Sequence, residues 1–294
     1  MAATEQSLDG GGGKLFFRSW TPAKAALGVV VIVPGFNSHS GHYAWAAGQL
    51  ADRGFCVYAL DLRGRGKSAG ERFYVRQFGD YVSDVDSLVH VVRSQQPGLP
   101  IFLLGHSAGG VVACLYAIEH QAGLAGLVCE SFAFEVPAPD FALAVLKGLG
   151  RIAPHAHVLR LKNEDFSRDP AVVADMNADP LIANEVQPTS TMAELVRADE
   201  RLKKEFPLIR LPLLILHGTA DRAAKPDGSR LFHERAGSAD KTIRLYEGHA
   251  HDLLRDLDKE RVMEDIAAWL TARIPAGGRH ALGTGPAEPA APSR

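Results

Sequence analysis

Short apolar runs alternate along the chain with segments whose apolar positions recur every three or four residues. The runs cover 29–33, 55–60, 101–104, 127–129, 213–216 and 243–246. They are three to six residues long, apolar on both faces and bounded by Gly, Pro or polar residues, the pattern of strands buried in a parallel sheet with helices above and below. Between them, Val82, Val85, Leu88, Val89 and Val92 keep the 3,4 spacing of one buried helix face, with Asp80 as its candidate cap. A second helical stretch follows Ser107 and a third covers 257–274. Strand, helix and strand repeated in this way predict an α/β fold, a mainly parallel sheet with helices on both faces.

One interval breaks the rhythm. No clear strand occurs from 131 to 210, far longer than the usual connection of a few dozen residues at most, so an inserted cap is expected there. Within it, 141–149 (FALAVLKGL) is apolar nearly all round, as in a helix that covers something. The reading divides the chain into a core of 14–130 and 211–274, the cap at 131–210, a flexible tail at 1–13 that ends in four glycines, and a disordered tail at 275–294 rich in Ala, Gly, Pro and Ser.

Composition narrows the function. Of 294 residues, 32 are Lys or Arg and 34 Asp or Glu, a net charge of −2 that gives no handle on a polyanion, so no nucleic-acid partner is expected. No apolar run approaches the roughly 20 residues of a membrane span. The first residues carry neither a basic start nor an apolar stretch, so no secretory signal is read and the expected location is the cytoplasm, with transient contact at a membrane surface through the cap. Cys56, Cys114 and Cys129 are an odd set without metal spacing, expected as buried free thiols.

The strongest chemical signal is Gly105-His106-Ser107-Ala108-Gly109, directly after the strand at 101–104 and before a helical segment. A serine on a tight strand-to-helix turn needs neighbours without Cβ, and the following helix aims its free N–H groups at the reacting centre. A serine hydroxyl also needs a base held by a third group. Asp221 follows the strand at 213–216, and two histidines, His249 and His251, follow the strand at 243–246. An oxyanion formed at Ser107 would meet the N–H of Ala108 and, from the loop Pro34-Gly35-Phe36-Asn37, that of Phe36.

Taken together, these stretches resemble the α/β-hydrolase superfamily, in its monoacylglycerol lipase and lysophospholipase branch. The resemblance is carried by PGFNSHSGHY (34–43), DLRGRGKSAGER (61–72), LLGHSAGG (103–110), LHGTADR (216–222) and the E-G-x-x-H at 247–251, and it spans 14–274 apart from the insertion. It implies an α/β-hydrolase fold and a serine carboxylic ester hydrolase with Ser107, Asp221 and His251 as triad and Phe36 and Ala108 as oxyanion donors. No metal or organic cofactor is implied, and the substrate is a small lipophilic ester of the monoacylglycerol kind. Two departures stand out: Pro34-Gly35 replaces the usual His-Gly, and Ser38 replaces the usual Glu before the loop histidine. The oxyanion donor is backbone, so both bear on loop rigidity and substrate fit rather than on the chemistry.

Other readings compete. Gly66-Lys67-Ser68 resembles the end of a phosphate-binding loop, but Asp61 stands where the first glycine belongs. The pairs His155/His157 and His249/His251 lack a third metal ligand at sensible spacing. A lysophospholipase, thioesterase or amide hydrolase is an alternative on the same fold, and so is a binding protein without catalysis. In the insertion, Phe132, Phe141, Val145 and Leu146, with Phe134 and Leu149, are expected to roof Ser107 for an acyl chain, the plainer reading being that they only cover the sheet. An apolar helix exposed in an open state would also touch a membrane interface, although no basic face is evident on it.

Overall fold

The computed structural model describes residues 2–134 and 140–275. In chain order it contains β1 (Thr4–Gly10), β2 (Gly13–Trp20), β3 (Gly28–Val33), α1 (Ala44–Asp52), β4 (Phe55–Leu60), α2 (Gly79–Gln95), β5 (Ile101–His106), α3 (Ala108–His120) and β6 (Gly126–Glu130). Then follow α4 (Asp140–Ile152), β7 (His157–Leu159), α5 (Pro170–Ala178), β8 (Gln187–Pro188), α6 (Thr189–Glu205), β9 (Leu213–Gly218), α7 (Pro226–Arg235), β10 (Lys241–Tyr246) and α8 (Lys259–Ala272).

Eight strands form one sheet in the order β1-β2-β4-β3-β5-β6-β9-β10. Pairing is parallel from β4 to β10 and antiparallel at β1, β2 and β4. The period of two sorts each strand between two cores. Val29, Val31 and Val33 of β3 pack with α2 and α3, while Val30 and Ile32 pack with α1 and α8. Because the central strands run the same way, the loops after β3, β5, β6, β9 and β10 open at one edge of the sheet, where ligands bind in open α/β sheets. Among the described residues no helix is long and apolar enough to cross a membrane.

The six strands read from apolar runs are all present, each extended by up to two residues. Four expectations need correction. Residues 1–13 are not a free tail, because 4–10 form β1 against β2 with Gly10 opposite Gly13 at the hairpin end. In TEQSLDG only Leu8 is large and apolar, packing partly against the core, and the strand is held mainly by ladder hydrogen bonds to β2. The 131–210 region does contain strands, but β7 and β8 make only a short two-stranded pair. Asp80 does not cap α2, which starts at Gly79 and holds Asp80 in its first turn, where a carboxylate still favours the helix dipole. The last helix is shorter at both ends than 257–274. The proposed C-terminal tail, from 276 on, lies outside the described residues.

All three cysteines are buried and free, with Sγ of Cys114 and Cys129 3.6 Å apart. The loop at 61–68 is an internally tied turn: the Asp61 carboxylate accepts from the backbone N–H of Ser40 at 2.6 Å and of Lys67 at 2.8 Å. That arrangement uses the amides a phosphate would need.

Candidate active site

Ser107 stands between β5 and α3 with φ 55° and ψ −124°, a left-handed conformation that costs a non-glycine residue about 1–3 kcal/mol. Neighbouring chain holds it there. Its N–H donates to the Glu130 carbonyl at 2.9 Å, and its own carbonyl accepts from Gly110 N at 2.9 Å. A Cβ at Gly109 would lie 2.1 Å from the Val33 carbonyl oxygen, so only glycine lets α3 start so close under the end of β3. At Gly35 a Cβ would lie 2.7 Å from that of Ser107, which is why the loop after β3 closes onto the elbow. Phe36 and Ala108 reach the same cavity as Ser107 from these two sides.

Asp221 and His251 come together from the loops after β9 and β10. His251 Nδ1–H donates to Asp221 Oδ2 at 2.7 Å, and both side chains are buried. Three further donors fix the carboxylate. His217 Nε2 lies 3.0 Å from Oδ2, and the N–H groups of Ala223 and Ala224 donate to Oδ1 at 2.8 and 2.9 Å. Burial alone would raise the Asp221 pKa, but the facing His251 and these hydrogen bonds outweigh it and hold the carboxyl well below its usual range. His217 is itself oriented by Ser229 Oγ, 2.7 Å from its Nδ1. The other ring nitrogen of His251, Nε2, is buried without a hydrogen-bond partner among the described residues, and His251 lines the cavity with Ser107. Its ring is wedged between Phe166, edge-on at 4.9 Å, and His106, also at 4.9 Å. Burial pushes His106 down to about 4, so it stays neutral at pH 7 and adds no charge beside the site.

His249 turns elsewhere. Its Nδ1 faces Asp256 at 3.8 Å, and it does not line the cavity. Asp256 is in turn occupied by Ala250 N at 2.8 Å and Arg168 Nε at 2.8 Å.

The cavity beside Ser107 encloses about 70 Å³ and is walled by Phe36, Ala133, Phe134, Leu159, Leu161, Met192, Leu195, Ala223 and Ala224. The expected roof is largely different. Phe141 and Val145 are exposed, Phe141 at 75%, and Leu146 packs against the core rather than over Ser107. Phe132 is buried in an aromatic cluster with Phe134, Phe206 and Phe232 and is not part of the wall. The reason is that α4 packs along α6 with Leu146 turned to the core, where Arg197 donates to the Lys147 carbonyl at 3.1 Å. The stripe Phe141, Val145 and Leu149 then faces away. Met192 and Leu195 of α6 take the place assigned to α4, and their 3,4 spacing with Val196 and Leu202 was a readable signal.

A model of the family described as serine aminopeptidase, S33, matches residues 24–258. The monoacylglycerol lipase of Mycolicibacterium smegmatis is 33% identical over 276 residues, 92% of this chain and 98% of that protein. Human monoglyceride lipase is 34% identical over 269 residues, 90% of this chain and 89% of its own. Among solved structures, that of the Paleococcus ferrophilus monoacylglycerol lipase superposes with a TM-score of 0.78 at 31% identity, covering 93% of this chain and all of that one. A serine on a strained elbow, in a mainly parallel sheet with these relatives, leaves one assignment: the chain is a serine hydrolase of the α/β-hydrolase fold and belongs to the serine aminopeptidase S33 family.

Proposed function

We propose that this chain hydrolyses carboxylic esters with lipophilic acyl groups of medium size, monoacylglycerols foremost, through an acyl-enzyme on Ser107. His251 Nε2 takes the proton as Ser107 Oγ attacks the carbonyl carbon, and Asp221 keeps the imidazole in the Nδ1–H tautomer. The N–H groups of Phe36 and Ala108 receive the oxyanion. His251 then protonates the departing alcohol, and water repeats the sequence to release the acid.

The observation that carries this reading is the cavity wall. Its residues are apolar apart from Ser107 and His251, and none bears a charge. An aminopeptidase needs an anion near the nucleophile to hold the substrate's free ammonium, and among the described residues this wall offers none, which favours an ester over a peptide as substrate. An acyl chain suits it, and the relatives named as monoacylglycerol lipases point the same way.

A panel of p-nitrophenyl esters and monoacylglycerols of rising chain length, run beside amino-acid nitroanilides, tests the reading. Rates should rise from acetate to medium chains, and faster nitroanilide turnover would overturn it. In the same panel, Met192→Ser or Leu195→Ser should lower kcat/KM for medium-chain esters about tenfold or more, because each lost apolar contact is worth about 1–3 kcal/mol, while acetate esters change about twofold. Equal losses for all chain lengths would mean that α6 only packs.

We also propose that the exposed stripe of α4 meets the lipid surface from which such substrates are drawn. Phe141 and Ile152, at 75% and 84% exposure, are the two most exposed of its large apolar side chains, and Arg151 precedes Ile152 on the same helix, while Lys147 pairs with Glu200 of α6. An exposed apolar stripe with one cation at its end suits the boundary of an anionic lipid surface. Co-sedimentation with vesicles containing phosphatidylglycerol should fall about tenfold for the double variant Phe141→Ser/Ile152→Ser, the order expected from about 1.5–3 kcal/mol per buried side chain discounted for partial insertion. Turnover of a soluble ester should hold. Unchanged sedimentation would remove the proposal.

A further inference from the structure

The oxyanion loop is tied from outside by residues that no triad argument needs. Glu185 Oε1 accepts from the N–H of Asn37, the residue after Phe36, at 3.0 Å. The same oxygen accepts from Arg65 Nη1, and from Gln187 Nε2 at 2.7 Å. Arg65 Nη2 donates to Gln187 Oε1 at 2.9 Å, closing the ring, and the guanidinium lies 4.0 Å over the Phe36 ring. Arg65, Glu185, Gln187, Phe36 and Asn37 are all buried. A second tie joins the same two stretches: Asp179 Oδ2 accepts from His39 Nε2 at 2.7 Å and His42 Nε2 at 2.9 Å. His39 Nδ1 accepts from Gly41 N, which puts the His39 proton on Nε2, facing Asp179.

We propose that Glu185 and Arg65 are positioning residues for the oxyanion donor, with Asp179 as an outer tie, so that the 179–187 stretch between β6 and β9 sets the strength of the oxyanion hole. This rests on Phe36 N–H being a donor to the oxyanion.

The geometry works through the backbone. Arg65 holds the Phe36 ring and Glu185 the amide that follows it, so the Cα and N of Phe36 keep their place at the edge of the cavity. Asn37 is held at φ 50°, which an untied loop would leave. A buried ion pair adds little stability over apolar packing of the same volume, whereas it does impose direction. A donor moved by about 1 Å loses much of its value in the transition state and little in substrate binding.

Rates are to be expressed per active serine, counted by fluorophosphonate labelling. Glu185→Ala should lower kcat on p-nitrophenyl butyrate about 10²-fold with KM within about threefold, and weaken an alkyl boronic acid, a tetrahedral mimic, by the same factor. Glu185→Gln keeps an oxygen for Asn37 N–H and should recover most of the loss. Asp179→Asn, at the partly exposed rim, should lower kcat and boronate affinity together about tenfold, and it serves where Glu185→Ala fails to fold. Wild-type kcat and boronate affinity per active serine in Glu185→Ala, or in Asp179→Asn where the alanine variant does not fold, would overturn the proposal, as would a loss confined to thermal stability or labelled fraction. A wild type that the fluorophosphonate labels at a serine other than Ser107 would instead overturn the site reading beneath it.

Discussion

Ser107→Ala should lose ester turnover by a factor on the order of 10⁶ in kcat while circular dichroism and melting temperature stay at or above those of the parent. The loss is large because the change removes the atom that forms the acyl bond, and the residual rate reflects only the oxyanion donors and binding. The fold should tolerate it because the hydroxyl supports none of the hydrogen bonds that shape the elbow: those run through the backbone of Ser107 to Glu130 and Gly110. Near-normal hydrolysis by a folded Ser107→Ala protein would end the acyl-enzyme mechanism. A fluorophosphonate should label the parent and leave the variant unlabelled.

The two histidines after β10 should separate just as sharply. His251→Ala should fall by about 10⁶ in kcat, the scale at which removing the base alone disables a serine hydrolase, and Asp221→Asn by about 10⁴. His249→Ala should lose tenfold or less, about 1.4 kcal/mol in the barrier. The contrast follows from where the rings point. His251 is wedged between Phe166 and His106 with Nδ1 on Asp221, leaving Nε2 for the serine proton, whereas His249 faces an Asp256 already claimed by Arg168. Steady-state rates on one ester for equally folded proteins decide it, and a more damaging His249→Ala would reverse the assignment.

The inner strands β3, β4, β5, β6 and β9 were legible because they are covered on both sides, so burial writes itself into the chain as unbroken apolar runs. β1 was not, since Thr4–Gly10 is held by ladder hydrogen bonds to β2 and has no apolar face to read. Ser107, Asp221 and the pair His249/His251 could be singled out because each follows the C-terminal end of a strand, where short turn motifs carry their own steric logic, and the family resemblance rather than spacing chose His251. The wall of the cavity could not be assigned in the same way. α4 carries a broad apolar face from Phe141 round to Leu146, too wide for the sequence to say which part is covered, and packing on α6 covers Leu146 and leaves Phe141 outside. Glu185 and Asn37 are 148 residues apart, and nothing local to either announces the other. His217 was visible within LHGTADR, yet its hold on Asp221 needs the loop to fold back within 3.0 Å.

The strained backbone at Ser107 sets two selective pressures against each other. Glycine would adopt φ 55° freely, so the residue proposed as nucleophile is also the one whose replacement by glycine would relax the elbow. A population of variants screened for heat resistance alone would therefore drift toward losing the nucleophile and keep an intact, well-packed shell around an inert turn. Screens meant to harden this enzyme must carry turnover as a second criterion at every round, because at this position melting temperature and catalysis move in opposite directions.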